Sequence, residues 1–173
     1  MSASAESTTS RILQLMKDTF GEKFKIYYDG DPEAIPTFNL PCLIVTQTTS
    51  EVTESAMNED DVTDEITVKV VLNKRDDFSG DKVDPLNLTD KKIRDLVMMR
   101  DVKTRQYDDR TVVGAIRKYG VDGARQDEGV DGVAPSLRIE FGINPRPAAD
   151  ADYADLTSEG HVTFSIQYSL DTD

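Results

Sequence analysis

The chain has 173 residues, 20 Lys and Arg against 33 Asp and Glu, and a formal net charge of -13. This length fits a single domain with a real core, and the acidic balance argues against nucleic-acid binding through phosphate contacts, which need clustered cations. One cysteine and one histidine leave no intrachain disulfide and no Cys-based zinc site.

In chain order, residues 1–8 are small and polar and read as a flexible tail. Nothing in Met1-Ser-Ala-Ser-Ala-Glu has the basic segment or apolar run of a signal peptide. No later stretch reaches the roughly 18 apolar residues of a membrane span, so the expectation is a soluble chain made in a cytoplasm. Ile12, Leu13, Leu15, Met16 and Phe20 group on one side of a first helix, which Gly21 stops. Lys25-Ile-Tyr-Tyr28 is a short strand closed by the turn Asp29-Gly-Asp-Pro32.

Residues 39–78 hold the frame. Leu40-Pro-Cys-Leu-Ile-Val45 is short, β-branched and almost continuously apolar, as in a strand covered on both faces. Ile66, Val68, Val70 and Leu72 alternate with polar residues, as in a strand with one face on a core. The acidic ribbon between them, residues 50–64, has too few apolar residues to pack and is expected to project as a long β-hairpin arm. Thr89 and Asp90 are read as opening a second helix with an Ile93, Leu96 and Val97 stripe. A third, short helix spans residues 111–119 and ends at Gly120. Residues 120–135 and 145–160 read as exposed loops. Leu137, Ile139, Phe141 and Ile143 alternate in one late strand, and Val162, Phe164, Ile166, Tyr168 and Leu170 in another. The expected fold is therefore α+β: one domain, a mostly antiparallel or mixed sheet of about five strands, helices on one face, and the projecting arm.

A search for catalytic chemistry turns up little, so no enzyme activity, cofactor or metal site is expected. His161 lies on the polar phase of the last strand and reads as solvent-facing rather than as a general base. Cys42 reads as a small core residue. Asp127-Glu-Gly-Val-Asp131-Gly132 has the start of a calcium loop, but the position needing a bidentate acid is Arg138. Asn87-Leu-Thr89 is read as part of a helix cap, and Lys74-Arg75, Lys91-Lys92 and Arg117-Lys118 as solvated pairs diluted by acids.

The order of features adds one thing more. A first helix, Tyr27-Tyr28-Asp29-Gly30-Asp31-Pro32, the proline-led Leu40-Pro-Cys-Leu-Ile-Val45, a polar arm and Asp64-Glu-Ile-Thr-Val-Lys-Val-Val-Leu-Asn-Lys-Arg-Asp-Asp-Phe78 together resemble the tail terminator proteins of long-tailed bacteriophages, also called tail-completion or tail-to-head joining proteins. The resemblance covers the first half of the chain and the rest only in layout. It departs from the compact family pattern in acidic insertions at residues 120–135 and 148–160.

The resemblance implies a structural virion protein at the tail–neck junction, assembled in the host cytoplasm. It would form a homo-oligomeric ring, typically hexameric, that caps the tail tube protein and meets a head-neck connector protein, while DNA passes through the lumen without specific binding. On that view Glu51, Glu54, Met57, Asp60, Asp61 and Asp64 are expected to contact a neighbouring subunit or the tube, and Asp122, Asp127, Glu128 and Asp131 to face the lumen or a partner. A neck or head-completion ring protein, a small acidic-site metal hydrolase and a monomeric binding module are the competing readings.

Overall fold

The computed structural model describes residues 7–74, 85–125, 132–143 and 157–172. They form α1 (Thr8–Phe20), β1 (Ile26–Asp29), β2 (Cys42–Ala56), β3 (Glu59–Asn73), α2 (Pro85–Met98), α3 (Val112–Arg125), β4 (Gly132–Ile143) and β5 (Thr157–Asp171). The five strands make one sheet in the order β1-β2-β3-β5-β4. The β1–β2 pair is parallel and the others antiparallel, so the fold is α+β around a mixed sheet, as the alternation of the strands predicts.

The principal core lies between this sheet and the three helices. Ile12, Met16 and Phe20 of α1, Ile93 and Val97 of α2, and Val113 and Ile116 of α3 meet Leu43, Val45, Ile66, Val68, Val70, Val162 and Phe164 from the strands. Helix α1 begins at Ser7, whose hydroxyl accepts a hydrogen bond from the Ser10 backbone N–H at 3.2 Å, filling one of the orphan donors of the first turn. It stops at Gly21, which takes φ 54°. On the opposite face of the sheet Cys42, Ile44 and Val71 form a second, smaller cluster with Ile35 and Leu40. Cys42 is fully buried there, which accounts for an apolar burst with no polar phase.

Four expectations are corrected. The ribbon of residues 50–64 is not a separate two-stranded arm. Strands β2 and β3 stay paired through Ala56↔Glu59, and β5 pairs with β3 along the same length, from Asn73↔Thr157 to Glu59↔Asp171. The hairpin end is thus a three-stranded continuation of the sheet, because backbone pairing does not require apolar side chains. Helix α2 starts at Pro85 rather than at Thr89, since proline is tolerated in a first turn where its missing N–H costs nothing.

Helix α3 does not end at Gly120 but runs on to Arg125. The glycine serves packing: a Cβ there would lie 3.1 Å from Val133 Cβ on the neighbouring strand. Finally, β4 begins at Gly132, within the expected loop of residues 120–135, and β5 at Thr157, within that of residues 145–160. The remainder of both loops largely lies outside the described residues.

Gly160 on β5 faces α2, and a Cβ there would sit 2.5 Å from Ile93 Cγ2 and 3.4 Å from Val97 Cγ2. Gly160→Ala should therefore destabilise the fold by about 1–3 kcal/mol through overpacking. Urea titration should show this as a lower midpoint at an unchanged slope; an unchanged midpoint would mean α2 does not press on β5 at this point.

Candidate functional site

In the acidic hairpin expected to make contacts, residues 47–58 form an unbroken exposed run. Its turn is Met57-Asn58, between the pair Ala56↔Glu59. Asn58 takes φ 67°, a left-handed conformation that asparagine tolerates better than most residues. Its carbonyl accepts the Thr172 backbone N–H at 2.8 Å, which ties the end of β5 to the turn. Glu51, Glu54 and Met57 are exposed, Met57 to 88%. Asp61 is exposed and accepts the Ser169 hydroxyl at 2.6 Å, while Asp60 is half-buried.

Residues paired directly across strands share a face of the sheet. Ser50, Asp64 and Ile166 form one such row, Val52, Val62 and Tyr168 the next, and Glu54, Asp60 and Leu170 the one after. All three rows lie on the helix-covered face, in phase with Ile66 and Val68. Cover thins along them: Val62 is still buried, whereas Val52 and Leu170 are exposed. On the other face Glu51, Thr63 and Gln167 lie level with one another, followed by Thr53, Asp61 and Ser169. That face is polar at this end.

Asp64 departs from the expectation that it faces a neighbour. It is only 2% exposed. The Thr8 and Tyr168 hydroxyls donate to Oδ2 at 2.7 and 2.8 Å, and Ser50 Oγ and Gln47 Nε2 donate to Oδ1. Burial raises its pKa, but the hydroxyl donors Ser50, Thr8 and Tyr168 outweigh that and hold the carboxyl below its usual value. A buried carboxylate with four donors is a structural clamp, joining the start of α1 to β2, β3 and β5. Its strand phase, shared with Ile66, is the signal that separates it from the surface acids around it.

The expected lumen residues are only partly placed. Asp122 lies in the last turns of α3 rather than in a loop, and Asp127, Glu128 and Asp131 lie outside the described residues.

His161 is not the solvent-facing residue expected. Its side chain is 14% exposed, with Nε2 3.1 Å from Oε2 of Glu159, which is 2% exposed. Lys69, directly across from His161 in β3, reaches Asp31 in the turn after β1. Among the described residues no group of three or more His, Cys, Asp or Glu side chains is arranged to hold a metal ion. No described helix is long and apolar enough to cross a membrane.

At the opposite end of the sheet is a cavity of about 560 Å³ that the sequence does not announce. Pro41, Leu72, Leu96 and Met99 supply its apolar lining, and Lys23, Lys92 and Arg110 its cations, beside Asp95 and Asp108. The loop of residues 99–108 shapes one wall. The Asp101 carboxylate accepts the Lys103 and Thr104 backbone N–H groups, and Asp108 N–H donates to the Met99 carbonyl at 2.9 Å. Hydrogen bonds from the Arg110 backbone N–H and side chain, with the nearby charges of Arg110 and Lys23, hold the Asp108 carboxyl below its usual pKa.

A scan against models of known protein families finds no match to this chain, and a search of curated proteins finds none either.

Asp64 carries a testable pH signature. Its folded pKa lies below the unfolded value of about 3.9, so its contribution is complete above that value and is lost as pH falls through the folded one. Asp64→Asn should cost about 1–3 kcal/mol near neutral pH. The gap from wild type should shrink below about pH 4 in urea titrations; a pH-independent gap would contradict the assignment.

Proposed function

We propose that this chain is a subunit of a ring that caps the tail tube of a long-tailed bacteriophage, halts tube growth and joins the tail to the head. The observation that carries the reading is the hairpin end of the sheet. It is held by two strand ladders and, among the described residues, is largely bare of helical cover and presents exposed Val52, Met57 and Leu170 among acids. Such a surface suits contact with another protein better than turnover of a small substrate.

Two further features support the reading. Among the described residues, β2 runs on past its β1 neighbour, beyond the pair Asp29↔Val45, to an edge that reaches Ala56, and β5 runs past Gly132↔Gln167 to Asp171. The two flanks of the hairpin end are thus different surfaces, as a heterologous ring contact requires. The net charge of -13 also suits a wall past which DNA moves, because carboxylates repel the duplex and keep it from adhering. In this proposal the acidic segment from Asp122 through Asp127 and Glu128 to Asp131 faces that lumen or a neck protein.

Particles assembled without this chain should carry overlong tails not joined to heads. Normal-length tails beside leaky heads would replace the proposal with that of a neck ring. A triple variant, Glu51→Lys, Glu54→Lys and Met57→Asp, alters only exposed side chains and should change stability by less than about 0.5 kcal/mol per site. It should melt like wild type and fail to cap tails; capped tails of normal length would remove the hairpin end from the contact.

A further inference from the structure

We infer that the loop of residues 99–107 in one copy docks on the acidic hairpin end of the sheet in the next copy. The inference deepens the ring proposal and rests on it only for closure of the chain of copies into a ring.

The loop is a basic surface on an acidic chain. Residues 99–107 are exposed without a break and carry Arg100, Lys103 and Arg105 against a single acid, Asp101. Among the described residues no side chain pairs with any of these three cations. The Asp101 carboxylate is taken up by the Lys103 and Thr104 backbone N–H groups at 2.7 and 3.2 Å. Backbone bonds hold the turn as well: Asp101 N–H donates to the Gln106 carbonyl and Arg105 N–H to that of Asp101, each at 2.9 Å, and Arg100 bridges Tyr107. The cations therefore stand on a preformed turn, and a partner meets them without first ordering the backbone.

The hairpin end is the complementary surface. Between residues 51 and 60 it carries Glu51, Glu54, Glu59 and Asp60 and no Lys or Arg, and among the described residues none of these carboxylates has an ion pair. Nine large apolar side chains are exposed among the described residues, and six of them fall in these two patches: Met99, Val102 and Tyr107 in the loop, Val52, Met57 and Leu170 at the hairpin. Each patch thus joins apolar side chains, whose removal from water is favourable, to unpaired charge of one sign, and the signs are opposite.

Chain geometry makes the occupant a second copy. Met99 lines the cavity together with Pro41, Leu72 and Asn73, at the far end of β2 and β3 from the turn Met57-Asn58. Strands of 15 residues rising about 3.3 Å per residue separate the two patches by roughly 45–50 Å. No loop reaches its own hairpin. A contact between two different patches is heterologous, so it propagates head to tail and ends either in a closed ring or in an open filament.

Charge reversal on full-length protein tests the contact, read as mass against concentration at low salt by light scattering. The loop variant is Arg100→Glu with Lys103→Glu and the hairpin variant Glu51→Lys with Glu54→Lys; all four side chains are exposed, and both proteins should melt like wild type. Each variant alone sets like charges against one another across the contact, so each should associate about tenfold or more weakly than wild type. Repulsion between whole molecules predicts the reverse for the hairpin variant, whose net charge moves towards zero. All four substitutions in one chain restore opposite signs and should restore association, as should mixing the two variants.

A wild-type mass that stays that of one copy at the highest concentration overturns the inference, as does a hairpin variant that associates as well as wild type. A four-fold variant no better than the loop variant overturns it too. Duplex DNA retained by wild type and lost by the loop variant would give the loop to a nucleic acid instead. Electron micrographs separate this from the ring proposal: rings built by the loop variant would leave the ring and remove the contact, whereas open filaments from wild type and the four-fold variant would keep the contact and remove the ring.

Discussion

Strand β3 pairs with β5 along all of its 15 residues, Glu59 to Asn73, and with β2 on its other side from Glu59 to Val71. Half of that length is secured by ordinary core burial, through Ile66, Val68, Val70 and Leu72. The other half carries Glu59, Asp60, Asp61 and Asp64, yet the ladders do not stop where apolar cover stops. A backbone N–H or C=O that leaves one partner needs another, and three strands in register satisfy one another wherever the side chains face. Asp64 sits at the changeover. By gathering hydroxyls from α1, β2 and β5 it fixes the start of the polar half to the end of the packed half.

The result is a molecule with two unlike ends. One is a thin, acidic, three-stranded blade with an apolar tip. The other end holds a cavity whose lining joins Pro41, Leu72, Leu96 and Met99 to the charged Lys23, Lys92, Asp95, Asp108 and Arg110. At a net charge of -13 copies of this chain repel one another at long range, so association requires a local match of opposite sign.

Much of the fold was legible because burial writes a period into the sequence. The stripe of Ile12, Leu13, Met16 and Phe20, the unbroken Cys42-Leu-Ile-Val45 and the alternation from Val162 to Ile166 each state how many faces are covered. Where pairing is carried by backbone alone that signal vanishes, and residues 50–64 read as an arm. A weaker signal remained in the β-branched residues Val52, Thr53, Val62 and Thr63 on either side of an asparagine turn. Gly120 was misread because a glycine needed for close approach to Val133 looks the same in sequence as one that ends a helix.

Of the candidate site, the exposure of Glu51, Glu54, Met57 and Asp61 followed from composition, whereas burial of Asp64 depended on its phase with Ile66. The cavity left no trace, since Lys23, Pro41, Leu72, Lys92 and Arg110 come from separate segments that only the fold brings together.

The central claim is that the hairpin end is already rigid in a single copy and becomes covered when copies join. Hydrogen exchange of the full-length protein, followed from dilute to associating concentrations, tests it most directly. The account predicts that the β3 amides of residues 62–72 are protected throughout, while those of residues 51–58 gain protection only as the mass rises. A mass that rises with no added protection at residues 51–58, or β3 amides that exchange freely in the single copy, would contradict it.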